Sequence, residues 1–190
     1  MPTYDSTVFR DTSVRADAAQ TPFGSDSTLY VSCYEYGTRR FSLLDWTGLP
    51  AGLLTSVSDA TLRLNSISIP TDFPQGPFGV RAIDRTWSEP LCSWQIYDGT
   101  HWWERSGGLG LNEVDQTPMA TFSVDGTGDI AIPLNAYGCS KVMGLINAGT
   151  WRGLVIDSTS FVGQWDGMAR FKSGNHSDAA DRPRLTFTYS

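Results

Sequence analysis

Residues 101–105 read His-Trp-Trp-Glu-Arg, two adjacent indoles among an imidazole, a carboxylate and a guanidinium. In an extended chain neighbouring side chains face opposite ways, so one of Trp102 and Trp103 can enter a core while the other faces out. An outward indole edged by Glu104 and Arg105 makes a stacking platform with polar rims, suited to a sugar ring or a partner's surface. Trp102, Trp103, Glu104 and Arg105 are therefore the candidate ligand-binding residues. Packing of the pair beneath the long Ser106–Pro118 loop is the competing expectation. Trp151 and Trp165 are similar platforms in a plainer context, whereas Trp87 and Trp94 are expected to plug the sandwich core.

Catalytic patterns are sparse. The chain holds two histidines, His101 and His176, so a triad or a multi-histidine metal centre has little to be built from. It contains no GxSxG, no HExxH and no phosphate-cradling glycine loop. Glycoside hydrolysis needs two facing carboxylates, and no pair stands out among 20 acidic residues. No catalytic residue is assigned, and the chain is read as a non-enzyme. Ser25–Ser27, Asp125–Asp129 and Ser177–Asp181 carry oxygens without the alternating spacing of a dedicated calcium loop. Turn capping is the expectation there, with an incidental structural calcium as the alternative and no cofactor. Cys33, Cys92 and Cys139 lack a CxxC spacing; three buried thiols are expected, one disulfide with a leftover thiol being the alternative.

The 190 residues suit one domain able to bury a substantial core. Net charge is −6, and the twelve arginines are scattered, which argues against a nucleic-acid partner. No apolar run is long enough to span a bilayer, so no membrane partner is expected. MPTYDSTVFRDTS offers neither the basic nor the apolar region of a secretory signal.

These side chains need positioning elements, and the prevailing period is two. Strands are expected over Thr7–Arg15, Ser27–Tyr34, Ser56–Ile69, Phe78–Asp84, Met119–Val124, Asp129–Ile132, Arg152–Asp157, Ala169–Lys172 and Pro183–Tyr189. Another follows a turn at Glu35–Thr38: Phe41, Leu43 and Asp45 point one way, Arg40, Ser42, Leu44 and Trp46 the other. Arg39 and Arg40 at its entrance are read first as a strand edge with solvated heads, next as salt-bridge partners, and third as ligand contacts. Thr47–Gly52 ends it with turn chemistry. One helix is expected over Asn135–Ala148, with Asn135 as cap and Gly149 as stop. The fold class is all-β, an antiparallel β-sandwich, jelly-roll-like, with one short helix. It spans residues 11–190 behind an N-terminal arm over 1–10.

Four stretches carry a resemblance: RRFSLLDWTGLPAG with SVSDATLRL; VRAIDRTWSEPLCSWQIYDGTHW; TWRGLVIDS; and ARFKSGNHSDAADRPRLTFTY. In order and spacing they resemble DNRLRE-type domains, β-sandwich modules like carbohydrate-binding ones. Asp45-Trp46-Thr47 and Ser173-Gly174-Asn175 depart from that family's pattern, so no acidic ligand is carried over to them. The resemblance implies a module of particle or cell surfaces, found beside glycosidases, in adhesins and in phage virion proteins. The expected function is a capsid decoration or surface protein at the virion surface, made in the host cytoplasm. Its partners would be capsid or other virion proteins in an oligomer or lattice, and glycans. The alternative is an extracellular carbohydrate-binding module serving a polysaccharide-acting enzyme or an adhesin.

Overall fold

The computed structural model describes residues 1–32, 39–50, 52–68, 75–107, 110–158 and 168–190. Among them are eleven strands: β1 (Thr3–Thr7), β2 (Arg10–Arg15), β3 (Thr28–Ser32), β4 (Arg40–Asp45), β5 (Val57–Ser68), β6 (Gln75–Ala82), β7 (Ala120–Val124), β8 (Gly128–Pro133), β9 (Leu154–Ser158), β10 (Met168–Lys172) and β11 (Arg184–Tyr189). One helix, α1 (Ala136–Asn147), lies between β8 and β9. Cys33, the Glu35–Thr38 turn, Ala51, Ile69 and Trp165 lie outside the described residues.

All strand pairings are antiparallel, and the result is an all-β, sandwich-like fold. One layer runs β1–β11–β5–β8, and β10 pairs with the last residues of β5. The other runs β2–β4–β9–β6–β7. β3 joins them, paired along β10 and meeting β4 at Ser32–Arg40. Between the layers lie Leu44, Trp46, Leu62, Leu64, Phe78, Val80, Leu154, Ile156, Phe171 and Phe187, all buried. Each such side chain withdrawn from water stabilises the fold by about 1.5–3 kcal/mol before conformational entropy is set against it.

The N-terminal residues are not an arm. Tyr4 is buried and stacks on Phe187 at 4.9 Å, while Thr3–Thr7 zip along β11. Tyr4 supplies the apolar anchor that ties this segment to an otherwise open sheet edge.

Two-residue periodicity places most of the core, and its break within β5 has a local cause. Val57 and Ala60 differ in parity, yet both face the interior cluster. The pairing with β11 shifts between Thr186 and Thr188, and Asp59 there adopts φ 53°. That is a β-bulge, one extra residue that resets the alternation, and Asp is among the few non-glycine residues that tolerate this backbone region. Beyond it Leu62, Leu64 and Ser66 point in and Ile67 points out, 39% exposed.

The helix forms as its sequence dictates. Asn135 Oδ1 accepts from Gly138 N–H at 2.8 Å as the N-cap, and Gly149 follows the last turn at φ 65°. Val142 and Leu145 enter the core, and the Asn147 side-chain amide brackets the backbone of Leu54 at 2.8 and 2.9 Å.

Candidate functional site

The layer containing β4 and β9 is buried on both faces. Leu44, Trp46, Leu154 and Ile156 face the sandwich core, whereas Phe41, Leu43 and Val155 face a second cluster with Val14, Ile83, Trp87, Cys92, Trp103 and Val114. The cover over that outer face is the segment between β6 and β7. It leaves the sheet through Ile83 N–H on Gly153 O (3.0 Å) and returns through Asp115 N–H on Ala82 O (2.9 Å) and Met119 N–H on Val80 O (2.7 Å).

Trp87 and Trp94 therefore do not plug the sandwich. Trp87 is buried beneath this cap, donating Nε1–H to Arg152 O at 3.1 Å with the Arg10 guanidinium 4.6 Å above its ring. Trp94 stacks on Phe41 at 5.2 Å and packs against the same cluster. Trp46 and Trp151 serve the sandwich core instead. Trp151 is 8% exposed and donates Nε1–H to Asp45 Oδ1 at 2.9 Å, so it offers no open platform. Where a strand is covered on both faces, alternation separates two sides without telling which is the interior.

The four sequence candidates sit together on the cap. Trp103 is 5% exposed and donates Nε1–H to Ser93 O at 2.9 Å, while Trp102 stands 63% exposed. The two indoles diverge as adjacency requires: one anchors, the other is presented. Glu104 does not rim the platform freely, because its carboxylate accepts from Asn112 N–H and Nδ2–H at 3.1–3.2 Å. Arg105 is exposed.

The residue that organises this stretch is one the sequence reading passed over. Glu113 is fully buried, and its carboxylate accepts backbone N–H groups from Glu104, Arg105 (3.3 Å) and Gly110 (2.9 Å). It gathers loop amides that no strand would satisfy. Gly107, at φ 90°, lets the chain lie against Trp94 and Phe41, where a Cβ would come within 2.9 Å of both rings. A glutamate among 20 acids carries no periodic signal; only its burial reveals it.

Beside the cap lies a polar cleft of about 610 Å³, within the range of small-ligand sites. Asp84, Arg85, Tyr97, Asp98, Asn112 and Arg152 line it. The Arg85 guanidinium lies 5.2 Å over the Tyr97 ring. Asp98 accepts from His101 N–H (2.8 Å), Thr100 N–H (3.0 Å) and the Thr100 hydroxyl (3.1 Å), and its other oxygen lies 2.8 Å from His101 Nδ1. The His101 and Thr100 amides hold this carboxyl well below the usual aspartate range. A carboxylate stabilised in that way accepts hydrogen bonds and is a poor proton donor. The cleft thus offers donors and acceptors for hydrogen bonds to hydroxyls or amides.

In two of the three turns considered for calcium, acidic side chains cap or pair. Asp178 caps the Ala180 N–H at 3.0 Å, Asp129 pairs with Arg63 at 2.9 Å, and Asp181 pairs with Lys172. Among the described residues no three His, Cys, Asp or Glu side chains converge as metal ligands would. Cys92 is buried and its thiol is pushed up by burial; Cys139 is only half-buried, and both are free. No helix of the described residues is long and apolar enough to cross a membrane. The chain matches no family model and no curated protein.

Proposed function

We propose that this chain is a non-catalytic surface-binding module, a decoration or surface protein of a virion, that engages a protein shell through its cap. The observation that carries this reading is an anchored backbone holding large apolar groups in water. Leu91, Trp102 and Leu111 are 50%, 63% and 76% exposed, all on the segment pinned by Trp103 and Glu113. A slack loop would fold such groups inward. A loop that holds them out presents an apolar patch of the kind that marks protein interfaces, with Trp102 as the aromatic anchor such interfaces favour. The resemblance to modules found in phage virion proteins points the same way. In a lattice, weak single contacts would add up through multivalency.

The test is co-sedimentation of the purified chain with the particles of its source. The wild type is expected to pellet with them, and a Leu91→Ser/Trp102→Ala/Leu111→Ser variant to stay in the supernatant while melting at an unchanged temperature. Equal pelleting of the two would refute the cap as the contact.

The polar cleft favours a second reading, a glycan-binding module. Carboxylates, guanidiniums and an amide line it beside a tyrosine, the donor and acceptor set that vicinal hydroxyls require. A glycan array decides this one. Retention of a polysaccharide that is lost in Asp98→Ala and Asn112→Ala supports it, and silence across the array removes it.

A further inference from the structure

β1 ends its layer, and its hydrogen bonds fix which way each residue turns. Tyr189 N–H donates to Pro2 O at 3.1 Å and Val8 N–H to Pro183 O at 2.7 Å, in the register that sets Tyr4 against Phe187 and Ser6 against Leu185. Bonded and non-bonded pairs alternate along an antiparallel ladder. The even-numbered residues therefore bond to β11, and the N–H and C=O groups of Thr3, Asp5 and Thr7 turn outward. Among the described residues none of these three N–H groups has an acceptor. Thr3 and Asp5 are exposed, so the row faces water.

Such an edge is a template for another chain unless lysine, proline, a bulge or a covering segment guards it. Other strands that end a layer here are guarded. At the far end of the same layer, Leu134 N–H bonds Ala60 O at 2.8 Å, which turns Asp129, Ala131 and Pro133 of β8 outward; Pro133 has no N–H to give. β2, at one end of the other layer, is buried from Asp11 to Val14, and Glu89 Oε1 already holds the Asp11 N–H at 2.9 Å. β1 lacks these guards. Thr3–Thr7 contains no lysine or proline, and its register with β11 runs without a shift. Its one charge, Asp5, is matched by Arg184 at 2.8 and 3.1 Å.

We propose that β1 pairs antiparallel with β1 of a second copy of this chain, about a two-fold axis at Asp5. The outward row itself selects this occupant. Read from either end, residues 1, 3, 5, 7 and 9 run apolar, threonine, aspartate, threonine, apolar. A row that reads the same in both directions meets its own equivalent when the direction reverses, as an isologous two-fold contact requires. Thr3 then lies opposite the partner's Thr7, a favourable cross-strand pair. Met1 and Phe9 are 86% and 63% exposed and flank Asp5 at equal spacing, so Met1 of one copy comes beside the partner's Phe9. The two aspartates that face each other at the axis are each neutralised by the Arg184 of their own copy. The seam lies on β1 rather than on the cap, so its fate does not decide the proposed function.

Sedimentation velocity across a concentration series is the first readout, and a wild-type dimer is expected. Thr3→Pro and Asp5→Pro each delete an outward N–H while sparing the bonds to β11. Each should raise the dimer dissociation constant about tenfold or more, as loss of two hydrogen bonds related by the axis does. Should either variant melt early, cysteine pairing carries the test. Residues opposed in a bonded antiparallel pair have Cα atoms about 5.5 Å apart, within disulfide reach. Under mild oxidation, against wild type treated alike, Asp5→Cys should link to itself. Thr3→Cys should link to Thr7→Cys in a mixture and not to itself. A wild type that stays monomeric throughout overturns the second copy as occupant and leaves the edge to a different chain. A dimer indifferent to both prolines, with no link through Asp5→Cys, overturns β1 as the seam. Self-linking of Thr3→Cys on a par with Asp5→Cys overturns the axis at Asp5.

Discussion

Replacing Glu113 by alanine tests how the cap is held. The carboxylate is fully buried and meets the N–H groups of Glu104, Arg105 and Gly110. Removing it leaves three amides without an acceptor, at about 1–3 kcal/mol each, a sum of roughly 3–9 kcal/mol. A sum of that size rivals the total stability of an ordinary domain, so the strain is released by local opening rather than by holding the loop dry. The sandwich core lies on the other face of β4 and β9 and should survive. Hydrogen exchange read by mass spectrometry is the assay, with far-ultraviolet circular dichroism as the control. Exchange should rise sharply for peptides across 104–113, and tryptophan emission should shift to the red as Trp103 is wetted. The β signal and the exchange of β5 and β11 should be nearly unchanged. Glu113→Gln should fall between, since an amide keeps one acceptor and turns a donor on the remaining N–H groups. Wild-type protection across 104–113 in Glu113→Ala would refute the assignment of this carboxylate as the organiser of the cap.

Two further outcomes follow from other buried groups. Asp11 is buried against Glu89, and burial, eased by the Gly174 amide, raises its carboxyl from 3.8 to about 7; burial likewise raises Asp157 to about 6 despite Arg81. Because both folded values are raised, these groups favour the folded chain fully below about pH 4, and that support is lost as pH rises through 6 to 7. Stability in urea should thus fall between pH 5 and pH 8. Asp11→Asn should regain up to about 4 kcal/mol at pH 8, at about 1.4 kcal/mol per pH unit of displaced titration; an identical pH slope in the variant would contradict this. Gly153 has φ 100°, and a Cβ on it would lie 2.1 Å from Leu44 O, so Gly153→Ala should cost at least about 3 kcal/mol in urea unfolding.

How much could be read without coordinates divides along physical lines. Local signals were legible. Leu62 and Leu64 alternate with Arg63, Asn135 caps its helix and Gly149 ends it, so β5 and α1 fall where residue spacing puts them. The divergence of Trp102 from Trp103 was legible too, because it needs only adjacency. Long-range placement was hidden. Trp87 answers to Arg152, 65 positions away, and no period marks a tryptophan that packs outside a sandwich rather than within it. Tyr4 joins the sheet through Phe187, at the far end of the chain, which is why the first residues read as an arm. The bulge at Asp59 was visible only as a break in parity. Glu113 was invisible because its partners are backbone amides, which every residue type supplies. Arg39 and Arg40 were read first as a strand edge and next as salt-bridge partners; Arg40 does pair with Asp17, a partner that spacing did not name. The convergence of Arg40 with Arg170 on Tyr30 depends on a register that spacing along one strand does not contain.

The direct test of the cap as contact surface is a hydrogen-exchange footprint of the chain bound to its native particle, compared with the free chain. The account predicts added protection concentrated between Leu91 and Leu111, with the outer edge of β1 unchanged. Protection centred on β1 or α1, leaving the cap as open as in the free chain, would contradict it.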